Sequence, residues 1–179
     1  MMIKFLSLLV TTLLFVGCST LDVSVDYDDS FNFKSAKTFA VVKNNEMADN
    51  TLLNDRIISA IKNDLKLKNY KESAVESTDL IIVFYTKVED KSQVSTSYSG
   101  GGYRGYGFGY GYGGGMMAST HTYEYEEGTL VIDALNPKTK KIVWRAIGVK
   151  ELSHKENPQE RTEAVNAAVK KIMEKFPVK

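Results

Sequence analysis

The 179 residues include 23 Lys and Arg against 22 Asp and Glu, so the formal net charge is only +1. This near-neutral balance argues against a general nucleic-acid-binding protein, which needs a clear basic excess to neutralise phosphates. The single cysteine, Cys18, excludes an internal disulfide and a cluster of thiolate metal ligands. The length suffices for one domain with its own hydrophobic core.

The chain begins with the three zones of a secretory signal peptide. Lys4 supplies a positive charge, residues 5–16 form an uncharged and mainly apolar run, and the small residue Gly17 precedes Cys18. A helix of about 12 residues rises roughly 18 Å, which is well short of the hydrocarbon core of a bilayer. We therefore predict a signal peptide over residues 1–17, cleaved between Gly17 and Cys18.

A small residue directly before a cysteine resembles the lipobox of bacterial lipoproteins, although Phe15 stands where leucine is usual. Acyl chains on Cys18 would anchor the protein, because each buried CH₂ contributes about 0.8 kcal/mol. An ordinary signal peptide followed by a chance cysteine is the alternative. Ser19 favours the outer membrane in enteric-type bacteria. The sequence thus predicts a lipid-anchored protein of the cell envelope, located in the outer membrane.

The first half of the mature chain predicts extended segments followed by a helix. Residues 18–30 combine a lipidated tether with a first extended segment, in which apolar and polar residues alternate. Residues 38–42 predict a second strand. A helix is predicted from Thr51 to Lys68, because apolar residues recur at helical spacing. These residues are Leu53, Ile57, Ile61 and Leu65.

The second half predicts three strands and a closing helix. Residues 80–84 form an apolar run typical of a central strand that is buried on both sides. Residues 129–135 and 141–149 predict an antiparallel hairpin with a proline-containing turn. Asn157 can cap the last helix, which ends before Pro177.

This order of elements predicts a single α+β domain over residues 31–179. Two helices with one apolar face each require a sheet to pack against. We therefore expect a two-layer sandwich, with a mainly antiparallel sheet of about five strands and both helices on one face.

Residues 98–115 consist mostly of glycine and tyrosine and form an insertion between two predicted strands. If this insertion is extended, its alternate aromatic residues share one face, but so much glycine makes ordering costly. Three interpretations are open: a mobile loop, a partner-binding arm, or a surface for stacking sugars or nucleic acid. Nucleic acid is disfavoured, because only Arg104 supplies charge. The candidate partner contacts are Tyr106, Phe108, Tyr110 and Tyr112.

The sequence lacks the usual patterns of catalytic and metal-binding sites. His121 and His154 are the only histidines, both in predicted loops, and no HExxH, GxSxG or P-loop string occurs. Glu124, Glu126 and Glu127 precede a predicted strand and suggest a solvated strand end. We expect no metal, no cofactor and no enzymatic activity; an envelope hydrolase with an unrecognised active site is the alternative.

Three residues of the predicted hairpin are candidates for a structural role. If Leu135 pairs with Lys141, then Asp133 and Arg145 are diagonal neighbours on one face of the sheet. We expect them to form a structural ion pair. Trp144 would lie on the opposite face as a core residue, with contact to a ligand as the alternative.

Several short motifs follow one another along the chain. They are Asp26-Tyr27-Asp28, Phe33, Lys37-Thr38-Phe39, residues 54–61 (NDRIISAI), Asp79-Leu80, residues 130–133 (LVID), Val143-Trp144-Arg145 and Phe176-Pro177. With the glycine-aromatic insertion before LVID, they resemble the bacterial lipoprotein family called domain of unknown function 4136. Ala146 departs from the glycine that is frequent in that family.

The resemblance implies an envelope lipoprotein of unassigned biochemical role and supplies no catalytic residues. We therefore predict a non-catalytic domain for interaction or envelope maintenance. It would be held to a membrane through Cys18 and would contact a protein partner in the envelope.

Overall fold

A computed structural model of the chain describes residues 21–43, 50–99, 117–152 and 157–177. Eight main elements follow one another along these ranges. They are β1 (Asp22–Tyr27), β2 (Thr38–Val42), α1 (Thr51–Leu67), β3 (Lys71–Glu72), β4 (Leu80–Ser99), β5 (Met117–Leu135), β6 (Ile142–Glu151) and α2 (Pro158–Met173).

The strands form one mixed sheet in the order β1-β6-β5-β4-β2-β3. The β1-β6, β6-β5 and β5-β4 pairs are antiparallel, whereas β2 runs parallel to both β4 and β3. The predicted α+β class and mainly antiparallel sheet are confirmed. The expected strand number was wrong, because β3 adds a sixth strand that is too short to show any periodic pattern.

Helix α1 begins and ends with local hydrogen bonds that its sequence provides. The Asn50 side chain accepts a hydrogen bond from the Leu53 amide at 3.1 Å, which satisfies one of the free donors of the first turn. After the helix, Asn69 adopts a positive φ of 64°, a left-handed conformation that asparagine tolerates. The buried face of helix α1 includes the residues Ile57, Ile61 and Leu65.

Helix α2 begins with a complete capping box. The Asn157 side chain accepts from the Glu160 amide at 2.9 Å, and the Glu160 carboxylate accepts from the Asn157 amide at 2.9 Å. Pro158 occupies the first turn, where its missing N–H leaves no bond unmade. The helix ends at Met173, so Phe176 lies in the following turn and packs its ring on Trp144, with ring centroids 4.8 Å apart.

Alternate residues of the central strands supply the core. Leu80, Ile82 and Phe84 of β4 are fully buried and belong to the same cluster as Trp144 and the apolar faces of both helices. Ile81 and Val83, which point to the opposite face, are only half-buried. The prediction that this run is buried on both sides was therefore wrong for the described residues, because only one set of alternate side chains is fully buried.

Candidate functional site

An apolar groove lies between the N-terminal parts of the two helices and the sheet. Its volume is about 570 Å³. The two helices, β5, and the residues flanking β1 and β6 supply its aliphatic wall, which consists of Leu21, Leu52, Leu53, Ile57, Leu130, Leu152, Ala164, Val165 and Ala168. Leu52 is 68% exposed and Leu152 is 36% exposed. The groove therefore presents accessible apolar surface in a concave shape.

Two glycines on neighbouring strands form part of the groove floor. A Cβ atom on Gly128 would lie 2.8 Å from Leu152 Cδ2, and one on Gly148 would lie 2.6 Å from Ile172 Cδ1. Both distances are shorter than carbon atoms tolerate without rearrangement. The glycines thus allow Leu152 and helix α2 to rest directly on the strand backbone.

The groove wall also carries ionisable side chains. The cations are Arg56, Lys87, Lys150 and Arg161, and Glu126 provides one carboxylate. Lys87 is paired with Glu89 at 2.7 Å. Arg56 Nε donates to Thr162 Oγ1 at 2.9 Å and so links α1 to α2. Within the described ranges, neither Arg56 nor Lys150 forms an ion pair. The site therefore combines an aliphatic interior with an excess of positive charge.

The described chain begins at this groove. Leu21, three residues after Cys18, is 7% exposed and lines the groove. Its carbonyl accepts a hydrogen bond from Lys171 Nζ at 2.6 Å, which fixes the start of β1 against α2. Gly17 and Cys18, the predicted cleavage and lipid-attachment residues, lie outside the described residues.

A two-stranded ribbon extends from the same end of the sheet. Asp22 lies in a row of paired residues that crosses β6 and β5 to Lys87 of β4. Beyond that row β4 and β5 continue as a pair, and we call residues 90–99 and 117–126 the ribbon. From Asp90 to Ser99 it extends about 30 Å, at roughly 3.4 Å per residue. The chain thus enters the sheet at the end from which the ribbon leaves it.

Side chains brace the ribbon where it meets the rest of the sheet. The rings of Tyr123 and Tyr125 stack with centroids 5.8 Å apart. Tyr123 donates its hydroxyl proton to the Glu151 carboxylate at 2.7 Å, and this hydrogen bond raises the pKa of Tyr123. Lys91 bridges Glu89 at 3.4 Å and Glu127 at 3.8 Å. The partner contacts predicted at Tyr106, Phe108, Tyr110 and Tyr112 lie outside the described residues.

The predicted positions of His121 in a loop and of three glutamates before a strand were wrong. His121, Glu124, Glu126 and Glu127 all lie within β5, rather than in a loop or before a strand. Residues 118–124 are exposed, so no apolar alternation marks them as a strand. His121 Nε2 is 3.0 Å from Ser119 Oγ. His154 lies outside the described residues.

Asp133 and Arg145 form a two-pronged ion pair on the sheet face that Ile81 and Val83 share. Arg145 Nε donates to Asp133 Oδ1 at 2.7 Å, and Arg145 NH2 donates to Asp133 Oδ2 at 2.6 Å. These bonds raise the pKa of Arg145. The Asp133 side chain is 1% exposed and that of Arg145 is 45% exposed. Trp144, on the opposite face, is fully buried.

The predicted hairpin register was wrong. Leu135 pairs with Ile142 rather than Lys141, and an irregularity at Ala134/Leu135 places Asp133 directly opposite Arg145. A β-bulge of this kind adds an unpaired residue to one strand. The sequence does not reveal this insertion, because Ile142, Val143 and Trp144 are all apolar and conceal the change of phase at which two consecutive residues, Val143 and Trp144, are buried.

No pattern in the sequence singles out the groove. Arg56, Lys150, Gly128 and Gly148 lie on different elements, and only the folded chain brings them together. One signal was available in α1, where Leu52 precedes the buried stripe as an additional, exposed apolar residue.

Across residues 21–43, 50–99, 117–152 and 157–177, no three His, Cys, Asp or Glu side chains gather as potential metal ligands. In that same part of the chain, no helix has both the length and the apolar character needed to cross a membrane.

Solved structures share this fold at low sequence identity. A PDZ domain protein from Parabacteroides distasonis superposes with a TM-score of 0.58 and 15% identity over 88% of this chain, which spans only 36% of that protein. The PelC dodecamer from Paraburkholderia phytofirmans gives a TM-score of 0.50 and 9% identity over 86% of this chain and 95% of the other. These similarities indicate the fold alone.

Sequence comparison assigns the family. No curated protein matches the chain. The sequence matches the family described as Domain of unknown function (DUF4136) over residues 23–178. This range covers nearly all of the chain that follows the predicted signal peptide. The motifs predicted the same family, and the chain belongs to it.

Proposed function

We propose that this protein is a lipid-anchored component of the bacterial outer membrane, whose domain binds and does not catalyse. Cleavage after Gly17 and acylation of Cys18 would provide the anchor. The position of Leu21 carries the proposal, because the folded domain begins within about 11 Å of Cys18 even when the linking residues are fully extended. A lipid on Cys18 would therefore hold the groove and this end of the sheet close to the membrane surface.

In the proposed arrangement the domain is a two-layer α+β sandwich with both helices on one face of the sheet. The shared cluster of buried residues from α1, α2 and the central strands supports this layering. The half-buried side chains of the other face then remain available for contact. No metal or cofactor takes part in the proposed function.

The position of the ribbon suggests how the anchored domain is oriented relative to the membrane. It leaves the sheet at the end where β1 begins, so it would extend from the membrane-proximal end. The insertion that follows carries Tyr106, Phe108, Tyr110 and Tyr112, which we propose as contacts for a protein partner in the envelope. Aromatic side chains bury about 150–250 Å² each, enough to offset the ordering of a glycine-rich segment.

Metabolic labelling tests the anchor. Cells expressing the full chain are grown with an alkyne-tagged fatty acid, and the membranes are separated on a density gradient. We expect labelled protein in the outer-membrane fraction, with both label and membrane association lost in Cys18→Ser. Ser19→Ala is the matched control and should still be labelled. An unlabelled wild-type chain, or Cys18→Ser that remains in the membrane, would contradict the proposal.

Cross-linking in intact cells tests the partner contacts. A variant in which the four aromatic residues are replaced together by serine should lose a cross-linked protein that the wild type retains. Tyr27→Ser, an exposed tyrosine on β1, is the matched control. If the same cross-linked species persist in the four-residue variant, these aromatics are not the partner contacts.

A further inference from the structure

The groove has the size and surface of a site for a small apolar ligand. Its volume of about 570 Å³ falls within the roughly 300–1,000 Å³ of typical small-molecule sites. Its walls come mainly from helices and strands and are largely aliphatic, and no aromatic side chain is among the described residues that line it. This surface suits flexible alkyl groups better than flat rings, which bind preferentially to aromatic partners.

The charged side chains on the groove wall indicate the charge of the ligand's head group. Arg56 and Lys150 line the groove and have no carboxylate partner within the described residues. An anionic head group would therefore be attracted, while a cationic one would be repelled. A lysine or arginine next to an apolar wall also binds a carboxylate more strongly than it would in bulk water.

We propose that the groove binds a free anionic lipid with a single acyl chain, such as a fatty acid. The alkyl chain lies along Leu53, Ile57 and Val165, and the carboxylate faces Arg56 and Lys150. The inference rests on the groove itself and does not depend on acylation of Cys18. The acyl chains of Cys18 are the competing occupant, because Leu21 lines the groove, and the experiment distinguishes the two.

Photocross-linking of the full chain tests the proposal. Cells are grown with a diazirine-bearing palmitate analogue, so that the probe can be present both as a free fatty acid and as an acyl chain on Cys18. Detergent-free lysates of these cells are then irradiated, and the adducts are located by peptide mass spectrometry. We expect a single fatty-acid adduct on the peptide that carries Leu52 and Leu53. Ala164→Phe, which fills the groove, should reduce this adduct roughly tenfold, whereas Ala167→Phe on the exposed side of the same helix should not. Limited proteolysis verifies that both variants remain folded.

Competition tests the selection for an anion. Palmitate should compete with the probe roughly tenfold better than hexadecanol, which has the same chain length without a charge. Lys150→Gln should narrow this difference, and Lys34→Gln, which removes an exposed charge from a loop, should leave it unchanged. Equal competition by the acid and the alcohol would overturn the assignment of an anionic ligand.

Two other outcomes would overturn the proposal. One is an adduct that Ala164→Phe does not reduce, because the probe would then bind elsewhere. The other is an adduct in which the Cys18 peptide is joined to a groove peptide, because the groove would then hold the protein's own acyl chain. Loss of acylation with a retained fatty-acid adduct would refute the proposed anchor while leaving the lipid site supported.

Discussion

The Asp133 carboxylate is buried, and Arg145 is its partner in two short hydrogen bonds. Removal of the arginine leaves a buried charge without compensation, which costs more than the pair itself contributes. We expect Arg145→Gln to lower the free energy of unfolding by roughly 3 kcal/mol, at the lower end for such pairs because Arg145 is half exposed.

Urea denaturation of Arg145→Gln, Asp133→Asn and the double variant measures this coupling. In the double variant Asp133→Asn removes the isolated charge, so part of the stability should return. A loss from Arg145→Gln no larger than that from the exposed Lys34→Gln would contradict the expectation.

Asp79 joins the starts of β2 and β4. Its Oδ2 accepts hydrogen bonds from the Lys37 amide at 2.9 Å, the Thr38 amide at 3.0 Å and Thr38 Oγ1 at 2.8 Å. These hydrogen bonds lower the pKa of Asp79 in the folded state, and the bond from the Lys37 amide has the largest effect. The stabilisation is therefore complete above the unfolded pKa of about 3.9 and is lost as the pH falls through the lower folded value.

We expect Asp79→Asn to cost about 1 kcal/mol at neutral pH and little once the wild-type carboxylate is protonated. Unfolding measured from pH 7 to pH 2 should show the two proteins converging in acid. Asp55→Asn, an exposed carboxylate on α1, is the control. A difference that stays constant down to pH 2 would argue against a charge-dependent contribution of Asp79.

At the level of elements, Gly148 controls how closely α2 approaches β6. Gly148→Ala would place its Cβ 2.6 Å from the buried Ile172 Cδ1, so the helix or the strand must shift. We expect a loss of about 1–3 kcal/mol in the free energy of unfolding. Gly128→Ala is the matched control and should cost less, because the partly exposed Leu152 can rotate away. Equal losses in thermal or urea denaturation would contradict this difference.

The elements that could be predicted from sequence are those with one buried face and local end signals. Helices α1 and α2 have both, since their apolar spacing and the caps at Asn50 and Asn157 act within a few residues. The ribbon has no buried face, so the sequence predicts only the short parts of β4 and β5 that lie in the core of the sheet. The groove depends on contacts between distant elements, and no periodicity encodes those contacts.

On the scale of the whole molecule, the buried core and the ribbon are separate. Among the residues that the structure describes, no buried apolar side chain lies in the ribbon. Two-stranded hairpins contribute little stability by themselves. We therefore expect deletion of residues 98–115 to change the free energy of unfolding by less than about 0.5 kcal/mol, as measured by urea denaturation. A loss of more than about 1 kcal/mol would indicate that the deleted segment packs on the domain.

The attachment of Leu21 to Lys171 has a mechanical consequence for a protein tethered at its amino end. Tension from the tether would act along the axis of β1, which pairs with β6 over its whole length. A force in that direction loads all of the backbone hydrogen bonds between the two strands at once. A force across the strand would instead break these hydrogen bonds one after another. The chain direction that would bring the proposed tether to the groove would therefore also make the outermost strand resist being peeled from the sheet.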